Sequence, residues 1–410
     1  MKIRYLFSTL LLSGLTGSLF AQRSVKQDFA FAQHQTKLLL EETEKAQAST
    51  KKPGLFSPRT LDTNGNLVLV SPKDWCSGFF AGNLWFLYEY TGDNQWKEKA
   101  IPFTRTMESE KNNGGTHDMG FKVYNSVGNA YRLTHSDEYK DVIIQAAKTL
   151  ITRFNPVVGC IKSWDNRREW KYPVIIDNMM NLELLFEATR LSGDSSFYKV
   201  AVTHANTTMK NHFRPDNSSY HVIDYDPQTG KVLHKQTLQG FADSSAWARG
   251  QAWGLYGFTM CYRETGDIRY LQQAEKIAAF IFHNPQMPSD LVPYWDYDAA
   301  KLPGQPRDAS AAAVAASALY ELSTYSKNSK LYKKTADKII KSLSAHYQAK
   351  PDSAKGFLLL HSTGHKPANS EIDVPIIYAD YYYLEALLRK DRLSKKLPVI
   401  NAKGTLPEKK

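Results

Sequence analysis

The chain has 410 residues, 42% of them hydrophobic, with 52 basic against 41 acidic side chains and a formal net charge of +11. That length excludes one small compact core and fits a single large repeat-built domain. The excess positive charge suits an acidic partner such as an anionic polysaccharide, or serves solubility alone. The basic residues are dispersed with no Lys/Arg stripe or helix-turn-helix pattern, which argues against nucleic acid.

Residues 1–21 open with Lys2 and Arg4, continue through the apolar run LFSTLLLSGL and end in SLFAQ. A charged start, an apolar middle and small residues near a cut site read as a secretory signal cleaved near Ala21. The apolar run is too short for a stable membrane anchor, and no Cys marks lipid attachment. An exported protein, located in a bacterial periplasm, is expected. The three cysteines, Cys76, Cys160 and Cys261, are far apart with no CxxC spacing. They suggest neither a disulfide framework nor a zinc site, and are expected as buried thiols.

Beyond the leader a local pattern recurs. YEYTGDNQW (88–96), YRLTHSDEY (131–139), ATRLSGDSSFY (188–198) and YRETGDIRY (262–270) are followed by a looser copy, YELSTYSKNSKLY (320–332). Each lies between segments with helical apolar spacing. Gly92, Gly193 and Gly266 can take the left-handed conformation that closes a helix. Asp93, Asp194 and Asp267 then cap the next one. Helix, tight turn, helix is a helical hairpin, and YYLEALL (382–388) supplies a sixth. Long Gly/Asn/Pro-rich loops separate the hairpins, as in a ring with its loops over one face. The expectation is an all-α chain, an (α/α)6 toroid or barrel of six helical hairpins over residues 22–395. The basic tail, 396–410, is expected to be solvated and flexible.

Two carboxylates stand at loop-to-helix junctions. Asp177 lies in YPVIIDNMMNLELLFEA and Asp118 in GGTHDMGFKVYNSVGNAYRL. In a helical ring such junctions at one end point into the central cavity. An Asp before a helix is a good N-cap, and that is the plain alternative for each. Their apolar flanks, with His117 beside Asp118 and Asn178 and Asn181 after Asp177, point instead to function. A carboxyl in apolar surroundings has a raised pKa, and a nearby second carboxylate raises it further, so it stays protonated near neutral pH as a general acid must. FADSSAWARGQAWGLYGF (241–258) places Arg249 and Trp253 at i, i+4 on one helix face. A guanidinium beside an indole suits a sugar ring that carries a carboxylate; a core helix with Trp for bulk is the alternative. His221, Thr237 and Gln239 add polar groups in loops, and Trp75, Trp164 and Trp295 lie near loops where they can line a sugar cleft, although each taken singly reads more simply as core. There is no GxSxG elbow, HExxH, Walker loop or GxGxxG after a strand, and the His spacing suggests no metal.

At these residues the chain resembles glycoside hydrolase family 88, the unsaturated glucuronyl hydrolases. The matching segments are DWCSGFFAGNLWFLYEYTGD (74–93), HDMGF (117–121), IIDNMMNLELLFEA (175–188), SSAWARGQAWGLYGF (244–258) and YADYYYLEALLR (378–389). The resemblance implies an (α/α)6 barrel with no metal or organic cofactor. It implies removal of the 4,5-unsaturated uronic acid that polysaccharide lyases leave at the non-reducing end of glycosaminoglycan oligosaccharides, by hydration of the vinyl ether. Asp177 then matches the general acid/base and Asp118 a second essential carboxylate. His221, Thr237, Gln239, Arg249 and Trp253 match substrate-contacting positions. In the loop HSTGHKPANSEID (361–373), His361, Ser362, His365 and Lys366 can contact a sulfate or simply be solvated. The competing readings are an unsaturated galacturonyl or rhamnogalacturonyl hydrolase on pectin fragments, a non-catalytic glycan-binding protein on the same scaffold, and a helical-repeat interaction scaffold.

Overall fold

The structure, a computed structural model, describes residues 23–50 and 52–407. The leader expected over 1–21 and the last three residues of the tail lie outside the described residues. Among the described residues twelve α-helices follow in order. They are α1 (Val25–Ser49), α2 (Phe79–Thr91), α3 (Asn94–Glu108), α4 (Asn129–Thr134), α5 (Asp137–Ile151) and α6 (Leu182–Ser192), then α7 (Ser195–Asn211), α8 (Ala248–Thr265), α9 (Ile268–His283), α10 (Ala309–Leu322), α11 (Ser329–Ser342) and α12 (Ile377–Ser394). A π-helical stretch, Gly120–Gly128, runs directly into α4.

The repeat signature closes five hairpins as expected. Gly92, Gly193 and Gly266 end α2, α6 and α8 with φ of 66°, 76° and 70°. Asp93, Asp194 and Asp267 accept a backbone N–H in the first turn of α3, α7 and α9. His135 does the glycine's work after α4 at φ 53°. The helices sort into two rings by composition. All fourteen residues of α10 are buried, and a helix apolar on every side belongs inside. In α11, by contrast, one stripe of Tyr332, Ala336, Ile339 and Ile340 is covered. The inner ring runs α2, the π-helix with α4, α6, α8, α10, α12 and back to α2. Outer helices α3, α5, α7, α9 and α11 each pack on the inner helix that precedes them. The sixth outer helix is α1, which lies on α12, so the two ends of the chain jointly make the last pair.

Every short turn therefore lies at the C-terminal end of an inner helix, and every long loop crosses the opposite end. Those loops are not wholly irregular. β1 (Ser57–Leu61) pairs with β2 (Leu67–Val70), and β3 (Phe154–Asn155) with β4 (Cys160–Ile161). β5 (Pro173–Ile175), β6 (Val222–Tyr225) and β7 (Val232–Gln236) form an antiparallel sheet in that order. The three cysteines are free and buried. No helix among the described residues is long and apolar enough to cross a membrane.

The tail corrects an expectation. It is not solvated throughout: Val399 and Asn401 are buried, and the Asn401 amide donates to Glu89 at 2.6 Å. The charges of the tail are at its surface, but Val399 and the Asn401 amide are covered by the barrel.

Candidate active site

The three-stranded sheet assembles the centre of the site. Ile175 on β5 pairs with Val222 on β6, which pairs with Gln236 on β7. The residues just past these pairs, Asp177, His221 and Thr237, are therefore brought to one spot although they are far apart in sequence. The Ile176 N–H donates to the His221 carbonyl at 3.1 Å, fixing that corner. Asp177 then lies in a 3-10 turn, Ile176–Asn181, ahead of α6. Asn178 donates to the Ile161 carbonyl at 2.8 Å, and Asn181 accepts the Phe121 N–H at 3.1 Å. Both asparagines hold the turn in place, a structural task that the sequence did not disclose.

Asp177 is 8% exposed, and its Oδ2 has no hydrogen-bond partner among the described residues. Burial pushes its pKa up to about 7; the Arg249 charge opposes that, the Asp118 charge adds to it, and its own backbone N–H and the Trp253 indole pull it down. Burial is the dominant effect because an ionised carboxylate loses its hydration there. His221 faces it, with Nε2 3.8 Å from Asp177 Oδ2. His221 Nδ1 accepts the backbone N–H groups of Leu238 and Gln239 at 3.0 and 3.1 Å. That assigns the tautomer: Nδ1 carries the lone pair and Nε2 the proton. Burial lowers the pKa of His221 well below the usual histidine value, and the nearby His365 and Arg249 charges add to this. The imidazole is thus a neutral donor aimed at the carboxyl.

Asp118 precedes the π-helix and accepts from Thr116 Oγ1 at 2.9 Å. His117 Nε2 lies 2.9 Å from its other oxygen. Burial holds His117 below its ordinary pKa, with the Asp118 charge opposing, so it also acts as a neutral donor.

Asp177 and Asp118 line one cavity of about 290 Å3, with His117, Trp75, Trp164, Gln239 and Arg249. Its position above the N-terminal ends of the inner helices suits an anionic ligand. Four residues expected at the ligand are not among those that line the cavity. Trp253 is fully buried and packs on Phe121 and Tyr382 at 5.2 and 5.3 Å, beneath Asp177 rather than on a sugar face. Its i, i+4 relation to Arg249 gave the correct helix face but not the depth. Thr237 does not line the cavity; its hydroxyl accepts the Gly240 N–H at 2.8 Å and braces the turn that holds His221. His221 stands behind the lining rather than in it. Trp295, 3% exposed with its indole N–H on Gln305 at 2.9 Å, belongs to the core.

Arg249 also does more than face a ligand. It pairs with Asp308 at 2.8 Å and donates to the carbonyls of Thr363 and Gly364, both at 2.6 Å. The indole beside it is Trp247, at 4.5 Å. By gripping 363–364 it turns the 361–373 loop into a wall of the site. His365, Ser370 and Glu371 line the cavity, whereas His361 pairs with Asp373 and Ser362 is buried in a backbone bridge to Val374. Lys366 is not among the lining residues.

Sequence reading missed Arg59, Arg167 and Tyr378, which also line the cavity. Arg59 is fixed by Glu371 and Asp74 at 2.6 and 2.7 Å. The Tyr378 hydroxyl is buried with no partner among the described residues. Tyr378 stood within a segment singled out above; nothing in the sequence around Arg59 marked it. Among the described residues no cluster of three His, Cys, Asp or Glu is arranged to hold a metal.

Known proteins resemble this chain in sequence and in fold. Residues 60–391 match the sequence profile of Glycosyl Hydrolase Family 88. An unsaturated glucuronyl hydrolase of Formosa agariphila is 52% identical over 340 residues, covering 82% of this chain and 85% of that protein. One from Bacillus sp. strain GL1 is 35% identical over 356 residues, covering 83% and 93%. The crystal structure of an unsaturated glucuronyl hydrolase specific for heparin superposes with a TM-score of 0.84 at 46% identity, covering 91% of this chain and 99% of that one.

Proposed function

This chain belongs to glycosyl hydrolase family 88, and from that membership we propose that it releases the 4,5-unsaturated glucuronic acid from the non-reducing end of lyase-made glycosaminoglycan oligosaccharides. The observation that carries the reading is Asp177. A buried carboxyl with a pKa near 7, one unpaired oxygen and a place in the cavity wall is equipped to give a proton and take one back.

In this reading the protonated Asp177 donates its proton to C4 of the vinyl ether. Positive charge develops at C5 and the ring oxygen. Water adds at C5 and its proton passes to the now ionised Asp177, so one water adds across the double bond and the acid is regenerated. The C5 hemiketal opens to a ketone, and the C1 hemiacetal collapses to an aldehyde as the aglycone leaves with a proton. Asp118 orients the sugar and stabilises charge, held by His117 and Thr116. The neutral His221 N–H offers a donor beside Asp177 that cannot compete for its proton. The carboxylate-spacing rule of ordinary glycosidases does not apply, since no displacement occurs at the anomeric carbon. Export is part of the proposal and rests on the leader-like residues 1–21.

The test is ultraviolet absorbance of the conjugated enol-ether acid during incubation with unsaturated glucuronyl and galacturonyl disaccharides. Absorbance should fall with the parent on glucuronyl substrates and persist with Asp177→Asn. A folded parent that consumes none of them overturns the assignment, and preference for the galacturonyl isomer moves it to pectin fragments.

A further inference from the structure

The segment that joins β4 to β5, WDNRREWK (164–171), borders the cavity and is built in an unusual way. The indoles of Trp164 and Trp170 stack with centroids 5.7 Å apart and planes 19° apart. The Arg167 guanidinium lies 4.9 Å over Trp164, and that of Arg168 lies 4.9 Å over Trp170. Trp170 is anchored by its indole N–H on Gln236 at 2.6 Å. Asn166 and Arg168 take φ of 51° and 54°, a left-handed backbone that costs a side-chain-bearing residue about 1 kcal/mol or more and that folds retain where it serves a site.

The charges in this loop are unbalanced. Of its two acids, Asp165 is committed elsewhere, to Arg153 at 2.8 Å and Lys162 at 3.2 Å, and Glu169 is exposed and pairs with neither arginine. Neither Arg167 nor Arg168 forms an ion pair among the described residues. Other arginines at the cavity are neutralised: Arg59 by Glu371 and Asp74, Arg249 by Asp308. Arg167 lines the cavity as a free cation, and its charge helps to hold His221 and His365 below their ordinary pKa. Arg168 donates one N–H to the Thr237 carbonyl at 3.4 Å, whereas Arg167, seated over its indole, can turn its N–H groups to two oxygens of an anion.

We propose that Arg167, held on the Trp164–Trp170 stack with Arg168 beside it, forms a subsite for an oxyanion on the saccharide attached to the unsaturated uronyl residue. The inference rests on the reading above, in which the uronyl ring occupies the floor at Asp177. That floor is closed by Trp253 and Phe121, so the attached sugar extends toward the mouth, where this loop stands. The anion is a sulfate ester on the adjoining hexosamine or the carboxylate of a second uronate.

The test compares the parent with Arg167→Gln, Arg167→Lys and Arg168→Gln on three probes. These are an unsulfated unsaturated disaccharide, the same disaccharide with one sulfate, and an unsulfated unsaturated tetrasaccharide. Arg167→Gln should lower kcat/KM for the sulfated disaccharide about tenfold more than for the unsulfated one, the size of one charge-assisted hydrogen bond. Arg167→Lys should fall between the two, and Arg168→Gln should show a smaller effect in the same direction. The same selective loss on the tetrasaccharide identifies the uronate as the anion. Equal losses on all three probes, or none, overturn the proposal. Calorimetric titration of Asp177→Asn, with and without Arg167→Gln, by the sulfated disaccharide separates the two questions. The same titration with the tetrasaccharide covers the uronate; binding of either that depends on Arg167 without turnover in the parent would sink the hydrolase reading alone, and binding of both that is indifferent to Arg167, or no binding of either, would sink the subsite.

Discussion

Asp177 was conspicuous in the sequence because a carboxylate set among Val174, Ile175, Ile176, Met179 and Met180 has too little water around it. That environment has a measurable consequence for stability. The folded-state pKa is near 7 against an ordinary value of 3.8, so between those values the folded chain binds the proton that the unfolded chain has lost. Stability from this group therefore falls as pH rises from about 4 to 7, and the full penalty persists above 7. At about 1.4 kcal/mol per unit, ionised Asp177 costs the fold up to about 4 kcal/mol. Asp177→Asn should then raise the melting temperature by several degrees at pH 8 and leave it unchanged at pH 4. Calorimetric scans at the two values check this, and an equal shift at both would show that the carboxylate carries no such burden. The same protonation gives kcat/KM of the parent an alkaline limb near pH 7. Trp253 shows where residue-level reading stopped. Periodicity assigns a side to a helix, but how deep a side chain sits depends on Phe121 and Tyr382, which come from other helices.

The hairpin turns were legible because Gly followed by Asp is a local instruction, complete within four residues. The β5–β6–β7 sheet was not, since strands of three to five residues pair across loops and carry no period of their own. That sheet is what gathers Asp177, His221 and Thr237, so the individual residues were readable while their convergence was not. The 361–373 loop is a second case. Its sequence suits a solvated loop, and its place as a cavity wall comes from Arg249 on α8 and Asp308 at the N-cap of α10. This linkage is open to test. Arg249→Met leaves Asp308 buried without its cation and should destabilise the protein by about 3–5 kcal/mol. Adding Asp308→Asn removes the stranded charge while its oxygen can still cap α10 through Ser310 and Ala311. Denaturant unfolding should therefore recover a substantial part of the lost stability in the double variant. Turnover of unsaturated disaccharides should stay low in both, because nothing then fastens the wall. If the second substitution deepened the stability loss, the two side chains would not be acting as a buried pair.

At the scale of the whole barrel, chemistry and closure occupy opposite ends. The cavity lies over the N-terminal ends of the inner helices. The far end is tied by Arg263 to Glu321 at 2.8 Å and Arg389 to Glu321 at 3.1 Å, and by the tail. Five hairpins are continuous in the chain, but the sixth joins α12 to α1, so the ring is only as secure as the anchoring of its two termini. The sequence marks the tail as basic and hides this role, because Val399, Asn401 and Gly404 are single residues with no pattern. In the fold Asn401 and Arg132 meet Glu89 from two sides at 2.6 and 2.7 Å, and Arg132 also donates to the Asn401 carbonyl at 3.2 Å. Gly404, at φ 59°, packs directly on the Arg132 carbonyl, where no Cβ would fit. Truncation after Lys396 removes the amide and carbonyl partners of a buried carboxylate and guanidinium and uncovers the α2–α4 seam. Each lost hydrogen bond to a charged group is worth about 1.5–3 kcal/mol. The shortened chain should thus melt several degrees lower, while its kcat/KM on an unsaturated disaccharide, measured well below that transition, stays within about twofold of the parent. Loss of activity without loss of stability would mean that the two ends of the barrel are coupled and that the tail reaches the chemistry through the inner helices.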